Sequence, residues 1–400
     1  MRILLLANSH PWLKTNGLHL RLRSVLAALA RLGDVDVFSL VEERFLGESL
    51  VAPPGPMRRI EVVGVPTRPD PALEDHRFLP GELPTVFRRR DYTRAKQVFQ
   101  AWADCAYDLA WFHRADTYFA LGPEVHAPAV VDFDDLEDVK ILRALRAGSL
   151  YGQRLPARRQ ACLAALELLR QAAAWHRLQQ RIAREVPTVV VTSTVDRRRL
   201  GAGNVEVVPN TYSPPTPCTR RHPWHPTLTF QGDMTYAPNA EACHELTTSI
   251  APLVRAEVPE LQVRLVGEAD ERVHALADPP RVIVTGAVED MSAELCATDV
   301  VVVPLRYASG TRTKILEAFA HERAVVSASI GAEGIEATSG RHLLIRDRVR
   351  DIAAACVYLL RHEPTRARLA ARGRELYLHS YLPELASRRI AAIARAVTGG

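Results

Sequence analysis

Short apolar runs alternate with longer segments of helical periodicity through the first half of the chain. The apolar runs predict buried strands at about 2–7, 34–40, 59–63, 107–112, 129–133, 187–192 and 205–208. Helical spacing of apolar positions predicts helices at about 18–32, 92–104 and 154–185. Strands that alternate with helices predict a mostly parallel sheet with helices on both faces.

The same alternation restarts after the proline-rich segment 209–226, which has no periodicity and reads as a stiff, extended linker. Strands are predicted at about 227–232, 261–267, 281–286, 299–305 and 324–329, and helices at about 239–255, 311–320, 348–373 and 382–397. The pattern therefore predicts two Rossmann-like domains, 1–208 and 227–380. Residues 381–400 form a last helix, which we expect to pack back on the first domain.

Composition agrees with two globular domains in a chain of 400 residues. No apolar run has the length of roughly 18–20 residues that a membrane span requires, and the N-terminal run lacks the features of a signal peptide. The six cysteines show no CxxC pair, so we expect reduced thiols and a cytoplasmic protein, with the inner face of the membrane left open.

The positive charge of the chain, +5 with a pI of about 9.0, fits an anionic ligand or an anionic membrane surface. Nucleic acid is disfavoured, because the basic residues are spread out and no recognition motif is present. Arg88, Arg89, Arg90 and the basic helix at 154–184 are candidates for membrane contact, with a solvated charged face as the alternative.

The segment 309–320 carries the clearest candidate chemistry. Residues 309–311 form a polar loop at a helix start, where backbone N–H groups and the helix dipole favour an anion. Thr311 is a candidate N-cap, and residues 316, 319 and 320 share a face that suits a core. Lys314 and Glu317 lie on the other side and suit the diphosphate and the ribose hydroxyls of a nucleotide. A solvated ion pair between them is the alternative.

The segments SGTRTKILEAFA and AVVSASIGAEGI, at 309–320 and 324–335, resemble the donor-binding signature of family 4 glycosyltransferases. VEVVPNTYSP at 205–214 and VTGAVEDMSAEL at 284–295 are similar to two further motifs of the family. The resemblance extends over nearly the whole chain. It implies the GT-B fold, in which two Rossmann-like, doubly wound domains face each other across a cleft.

The resemblance implies a donor site for a nucleotide-diphosphate sugar in the second domain. Glu317 would bind the ribose, while Lys314 and Arg312 would hold the diphosphate and stabilise it as a leaving group. The other donor-binding candidates are Gly17, Gly232, Val288, Asp290, Ser309, Gly310 and Thr311.

The chain departs from the family pattern at two places in this site. Ser309 occupies the position of the family's first Glu, so the choice of sugar does not carry over. Asp233 and Met234 follow Gly232 where many relatives have an Arg and a Lys.

The first domain supplies the acceptor-side candidates Lys14, Asn16 and Asp132. His113 follows a strand and is a third catalytic candidate beside Lys314 and Glu317, where it would bond a sugar hydroxyl or steady charge at the anomeric carbon. The alternative for His113 is a structural histidine in a loop. The acidic run 132–135 resembles the DxD metal motif of the other large glycosyltransferase fold, but a metal is not expected because GT-B enzymes mostly work without one.

The sequence therefore predicts a retaining glycosyltransferase that moves a sugar from a nucleotide-diphosphate sugar to an acceptor hydroxyl in carbohydrate biosynthesis. The acceptor is a polysaccharide, a lipid-linked molecule or a natural product, and no cofactor is expected. The alternatives are a non-catalytic nucleotide-sugar binding protein and a nucleotide-sugar epimerase. The sequence leaves the base, the sugar and the oligomeric state open.

Overall fold

Two compact units make up the chain in a computed structural model. The model describes residues 1–12, 17–43, 46, 57–67, 83–103, 106–150, 153–154, 158–215, 225–308 and 313–399. The first unit comprises Met1–Leu142, Ala161–Pro209 and Glu384–Gly400, and the second comprises Arg143–Gln160 and Asn210–Pro383.

The strands of the N-terminal half are β1 (Arg2–Ala7), β2 (Asp34–Glu42), β3 (Met57–Val65), β4 (Leu109–His113), β5 (Ala129–Asp132), β6 (Ser149–Leu150), β7 (Gln153–Arg154), β8 (Thr188–Val191) and β9 (Val205–Val207). Seven of them form the parallel sheet of the first unit, in the order β3-β2-β1-β4-β5-β8-β9. β6 and β7 pair with each other in antiparallel orientation, in the second unit.

The helices of this half are α1 (Gly17–Leu29), α2 (Thr85–Arg89), α3 (Thr93–Trp102), α4 (Ala115–Leu121), α5 (Glu137–Arg146), α6 (Arg158–Glu185) and α7 (Thr194–Leu200). Side chains alternate across β1, so that Leu4 and Leu6 pack in one cluster and Ile3 and Leu5 in another. The first unit is therefore covered by apolar layers on both faces of its sheet.

The strands of the second unit's main sheet are β10 (Thr227–Gln231), β11 (Gln262–Val266), β12 (Val282–Gly286), β13 (Val300–Val303), β14 (Ala324–Ser327) and β15 (Leu344–Ile345). They are parallel and follow the order β12-β11-β10-β13-β14-β15. Both sheets are doubly wound, with the strand order reversing at β1/β4 and at β10/β13. The predicted fold class is confirmed.

The helices that follow are α8 (Ala237–Glu245), α9 (Ala251–Arg255), α10 (Glu271–His274), α11 (Met291–Cys296), α12 (Thr313–Ala320), α13 (Ser329–Ala332), α14 (Val349–Arg361), α15 (Glu363–Ser380) and α16 (Pro383–Thr398). Leu316, Phe319 and Ala320 of α12 are fully buried, as their spacing predicts. In the first unit, Ala386, Ile390 and Ala394 of α16 pack in the same cluster as Ile3 and Leu5.

The domain limits differ from the prediction in one place. The segment Arg143–Gln160 belongs to the second unit, although the sequence assigns all of 1–208 to the first domain. Within the second unit, Arg143 donates to the Ala308 carbonyl at 2.8 Å and to Glu333 at 2.5 Å. A prediction based on the periodicity of apolar residues cannot detect these polar contacts.

Three elements also differ from the prediction in length or continuity. A π-helical turn, Leu246–Ile250, separates α8 from α9. The helix predicted at 348–373 is two helices, α14 and α15, which meet at His362. The strand predicted at 324–329 ends at Ser327, and Ser329 is already the first residue of α13.

Cys296 is disulfide-bonded, so the expectation of reduced thiols is wrong for this residue. Cys162, Cys243 and Cys356 are free, and burial raises the pKa of the Cys243 thiol to about 12. None of the helices in the described part of the chain combines the length and hydropathy that crossing a bilayer demands.

Candidate functional site

The strand order of the second sheet reverses between β10 and β13, and the candidate donor residues gather at that point. Gln231 ends β10 and Gly232 follows it. Lys314 and Glu317 lie on α12, which follows β13 in the chain. A reversal of strand order leaves room at the carboxyl ends of the strands, where such sheets bind ligands.

Lys314 is held at the end of β10 by a hydrogen bond to Asn239 and by an aromatic ring. Its Nζ donates to Oδ1 of Asn239 at 2.7 Å and lies 4.5 Å from the centre of the Phe230 ring. Asn239 in turn donates to the Asp233 carbonyl at 2.6 Å. Tyr236 precedes α8, so Asn239 lies in the first turn of that helix.

Two glycines leave bare backbone beside this lysine. A Cβ on Gly267 would lie 2.2 Å from the Gly232 carbonyl oxygen, which no side chain can tolerate. Gly232 has φ +134°, and a Cβ there would lie 3.5 Å from Nζ of Lys314. The ends of β10 and β11 thus present peptide groups, rather than side chains, next to a fixed cation.

Glu317 is partly exposed and lies one turn after Lys314 on α12. Burial raises the pKa of Glu317 to about 7, although hydrogen bonding by Tyr212 and Gln231 and the charge of Lys314 act in the opposite direction. The alternative of a solvated ion pair does not describe Lys314 and Glu317, because Lys314 is bound to Asn239 and Glu317 is hydrogen-bonded by Tyr212 and Gln231.

Neighbouring polar groups tie α12 to the rest of the unit. Nε2 of Gln231 donates to the Lys314 carbonyl at 2.9 Å, while its buried Oε1 has no hydrogen-bond partner in the described part of the unit. Nδ1 of His321 lies 2.8 Å from the Glu317 carbonyl, and Nε2 lies 3.0 Å from Oγ of Ser292.

The loop after β12 reaches the same region. Asp290 caps α11 by accepting a hydrogen bond from the Ser292 amide at 2.9 Å, and its charge acts on Tyr212 and His321. Val288 is partly exposed in the same loop. The structure therefore brings Gly232, Lys314, Glu317 and Asp290 into one region of the second unit.

Several candidates lie outside the described residues, namely Lys14, Asn16, Ser309, Gly310, Thr311 and Arg312. Gly17 is the first residue of α1.

His113 lies where the strand order of the first sheet reverses, at the carboxyl end of β4. It is fully buried, and its Nδ1 is 3.1 Å from Oδ1 of Asn8, which follows β1. Its Nε2 has no hydrogen-bond partner among the residues described. Burial, followed by the charges of Arg21 and Arg114, lowers the pKa of His113 well below its usual value, so the ring is neutral.

Arg21 and Asp132 form a buried ion pair in the first unit. The Arg21 guanidinium donates to both Asp132 carboxylate oxygens at 2.6–3.0 Å and to the Val208 carbonyl at 2.9 Å. Both side chains are almost completely buried. Arg21, although it is a charged residue on a helix, is therefore part of the interior and not of the solvated surface. The structure also does not place Asp132 where the sequence suggests, facing an acceptor hydroxyl.

The other acidic residues of this run are also held by cations. Arg21 lies 3.8 Å from Asp134, and Lys140 lies 4.0 Å from Asp135. Burial and the neighbouring Asp135 raise the pKa of Asp134 to about 6. No group of three or more His, Cys, Asp or Glu side chains in the described ranges is arranged to hold a metal ion.

Sequence reasoning missed Asn8, Tyr212, Gln231 and His321. Asn8 and Gln231 lie at or just after the carboxyl ends of central strands, and that position is the signal that could have identified them. Tyr212 and His321 have no such signal, because their partners are brought close only by the fold.

Comparison with known protein families gives a match that lies within the second unit. Residues 225–362 match the family model described as glycosyl transferases group 1. No curated protein matches the chain by sequence.

Solved structures match over the full length of the chain. Sucrose-phosphate synthase from Thermosynechococcus elongatus has a TM-score of 0.72 at 17% identity, covering 100% of this chain and 99% of its own. WaaG, a glycosyltransferase involved in lipopolysaccharide biosynthesis, has a TM-score of 0.66 at 14% identity, covering 100% of each chain.

HepE from Anabaena, solved with UDP and glucose, has a TM-score of 0.62 at 13% identity, covering 98% of each chain. At these identities the structural matches establish the fold. The predicted resemblance is therefore confirmed: the chain has the GT-B fold of these solved structures, and its residues 225–362 match the family model of group 1 glycosyl transferases.

Proposed function

We propose that the protein is a retaining glycosyltransferase whose second unit binds a nucleotide-diphosphate sugar. The observation that supports this most is the position of Lys314, which Asn239 holds beside the bare Gly232 backbone. A fixed cation next to peptide groups suits a diphosphate, and Glu317, one turn away, suits ribose hydroxyls.

Lys314 would act on the leaving group. As the bond between the anomeric carbon and the diphosphate oxygen breaks, negative charge grows on that oxygen. A cation already in place stabilises this charge without reorganisation. The new bond joins the anomeric carbon to the acceptor oxygen, and the acceptor proton passes to the departing phosphate.

The retaining course is supported by the state of two groups of the first unit, Asp132 and His113, that an inverting reaction could use as a base. Asp132 is buried in its ion pair with Arg21. The lowered pKa of His113 makes it a poor proton acceptor. We therefore propose that His113 hydrogen-bonds a sugar hydroxyl through Nε2 and that the phosphate takes the proton.

Asp233 replaces a basic residue of the family, and its carboxylate is bound within its own turn. Oδ1 accepts from the amide of Thr235 at 3.0 Å and from its hydroxyl at 2.5 Å. We therefore propose that Lys314 and Arg312 neutralise the charge of the diphosphate. The family resemblance implies the same role for both residues.

The donor and acceptor are proposed by similarity. HepE is solved with UDP and glucose, and WaaG acts in lipopolysaccharide biosynthesis. We therefore propose UDP as the first nucleotide to test, a hexose as the sugar, and an acceptor of carbohydrate biosynthesis. We propose that no metal or cofactor takes part, and that the reaction takes place in the cytoplasm.

Replacing Lys314 by methionine should remove most of the nucleotide affinity while the fold remains. UDP, GDP, dTDP and ADP would be screened by thermal shift, where a ligand at 100 times its Kd adds about 2.7 kcal/mol of stability. We expect a clear shift for one diphosphate with the native protein and a loss of affinity of at least about tenfold for Lys314→Met.

The matched control is Lys96→Met, because Lys96 lies in the first unit and pairs with Glu124 at 3.6 Å. It should leave the shift unchanged. Equal affinity in both variants would remove Lys314 from the donor site. Binding of the diphosphate without release of sugar from any nucleotide sugar would instead support the non-catalytic binding protein.

His113→Asn should slow turnover and leave nucleotide binding intact. The Nε2 atom of His113 would serve the sugar, whereas the nucleotide would bind in the second unit. We expect kcat for donor hydrolysis or transfer to fall roughly 10- to 100-fold, as for a lost polar contact to the transition state. The thermal shift by UDP should be unchanged. A normal kcat would assign His113 to the structural alternative.

A further inference from the structure

Three polar side chains lie in a row at the carboxyl ends of β1 and β4, which are neighbours in the first sheet. Asn8 follows β1, His113 ends β4, and Asp116 lies in the first turn of α4. Oδ1 of Asn8 is 3.1 Å from Nδ1 of His113, and Nδ2 of Asn8 donates to Oδ2 of Asp116 at 3.4 Å. Asn8 therefore joins a buried imidazole to a carboxylate.

Asp116 is the fixed end of this row. Its Oδ2 also accepts from Nη1 of Arg90 at 3.2 Å, and its Oδ1 accepts from the Thr117 amide at 3.1 Å. Arg90 is held in turn by Glu42, to which it donates at 2.9 Å. Because a carboxylate paired with a guanidinium only accepts hydrogen bonds, the group of Asn8 that faces it must be a donor.

The orientation of the Asn8 amide follows from this requirement. Turning the amide over would place its oxygen against the Asp116 carboxylate, where two acceptors repel each other. The amide nitrogen of Asn8 therefore faces Asp116, and its oxygen faces His113. An amide oxygen only accepts hydrogen bonds, so Nδ1 of His113 must carry the proton of this bond.

This tautomer of His113 leaves Nε2 as a bare acceptor. Burial lowers the pKa of His113 well below its usual value, so the ring is neutral and holds a single N–H proton. Nε2 is buried and has no hydrogen-bond partner within the described ranges. An acceptor in that state costs free energy, which a hydroxyl bound to it would offset.

We propose that Asn8 and Asp116 are positioning residues of the transfer reaction. They hold the His113 ring with Nδ1 protonated, so that Nε2 accepts a hydrogen bond from a hydroxyl of the transferred sugar. This role rests on the proposed function, which gives His113 its contact with the sugar, and it explains how the ring is prepared for that contact.

A bare nitrogen at this place restricts the sugar that fits. Its lone pair attracts an O–H group and repels the oxygens of a carboxylate. A methyl group there would leave the nitrogen unpaired. The transferred sugar should therefore present a hydroxyl to His113, as a neutral hexose does, and not the carboxylate of a uronic acid.

The turn between β4 and α4 does not depend on the ring. The Thr117 hydroxyl donates to the His113 carbonyl at 3.1 Å and to the Arg114 carbonyl at 3.0 Å, and Thr117 is fully buried. Removing the amide of Asn8 should therefore change the protonation of the ring and leave this turn in place.

The first test determines the tautomer in the full chain without nucleotide. Nitrogen NMR of protein with isotope-labelled histidine distinguishes a protonated ring nitrogen from a bare one, and among the 14 histidines the signals of His113 are those that His113→Asn removes. We expect the native proton on Nδ1. Asn8→Leu offers the ring no acceptor, and Asp116→Asn allows both orientations of the Asn8 amide, so each variant should populate the other tautomer.

The second test measures the turnover of UDP-glucose. Asn8→Leu should lower kcat about tenfold, the smaller end of the effect expected for His113→Asn. Its affinity for UDP should be unchanged, because the nucleotide would bind in the second unit. In the His113→Asn background, Asn8→Leu should lower kcat no further, since it acts through the ring.

Asn204→Leu is the matched control. Asn204 lies in the same unit and donates to the Ala183 carbonyl at 2.9 Å and to the Val186 carbonyl at 2.8 Å, so the variant also loses side-chain hydrogen bonds. It should change neither the tautomer nor kcat. A native ring protonated at Nε2, or an unchanged kcat for Asn8→Leu, would overturn the proposal. If the native protein bound no nucleoside diphosphate, the donor site and the sugar contact would fail together, while the tautomer would still decide whether Asn8 orients the ring.

Discussion

Glu317→Gln is expected to stabilise the protein at pH 8 while it removes nucleotide affinity. Burial holds the Glu317 pKa at about 7 in the folded chain, against 4.5 ordinarily, so the folded state binds more protons than the unfolded state between these values. Stability from this group is therefore fully present below about pH 4.5 and is lost as pH rises to about 7. Because glutamine is neutral, the variant avoids the free-energy cost of burying a charged carboxylate.

The shift corresponds to about 3 kcal/mol at most, and the partial exposure of Glu317 reduces the expected gain to about 1–2 kcal/mol at pH 8. At pH 5 the two proteins should differ little. UDP affinity of the variant should fall at least about tenfold, because an amide replaces the carboxylate that would accept both ribose hydroxyls. Unfolding free energies at the two pH values and calorimetric titration with UDP measure these effects.

Glu260→Gln serves as the control, since Glu260 is exposed in the same unit. It should change neither stability nor affinity. If Glu317→Gln were less stable than the native protein at pH 8, the carboxylate would be contributing to the fold. If it bound UDP normally, Glu317 would not contact the ribose.

Arg21→Met should destabilise the first unit by about 3–5 kcal/mol. The substitution leaves the Asp132 carboxylate buried without its cation and also removes the bond to the Val208 carbonyl. Trp12, Trp102, Trp111 and Trp175 all belong to this unit, so their fluorescence during denaturation reports mainly on it.

Arg21→Met combined with Asp132→Leu should recover most of the loss, because it removes both charges and keeps similar volumes. The exposed pair of Arg181 with Glu185 in the same unit, at 2.7 Å, provides the comparison, and Arg181→Met should cost less than about 1 kcal/mol. A loss as small for Arg21 would show that Asp132 is solvated in solution.

The local pattern of apolar and polar residues predicts those structural features that depend on residues close together in the sequence. The apolar runs identify all seven strands of the first sheet, and the spacing of Leu316, Phe319 and Ala320 identifies the buried face of α12. For Lys314 and Glu317, the prediction of a donor site comes from the family resemblance of the loop, helix and strand around them.

Partners that are distant in the chain could not be predicted in the same way. Arg21 lies 111 residues from Asp132, and Lys314 lies 75 residues from Asn239. Nothing in their own segments tells a charged helix residue that is paired in the interior from one that faces water. The break between α14 and α15 was predictable in principle, because a proline at 364 suits the first turn of a new helix.

The raised pKa of Glu317 also couples the binding of the donor to the release of a proton. With a pKa of about 7, about half of the ligand-free molecules carry a proton on this carboxyl at pH 7. Ribose hydroxyls would need the ionised form as acceptor, so each nucleotide that binds as proposed would expel a fraction of a proton. A fall in local pH would protonate Glu317 and so weaken the binding of the donor.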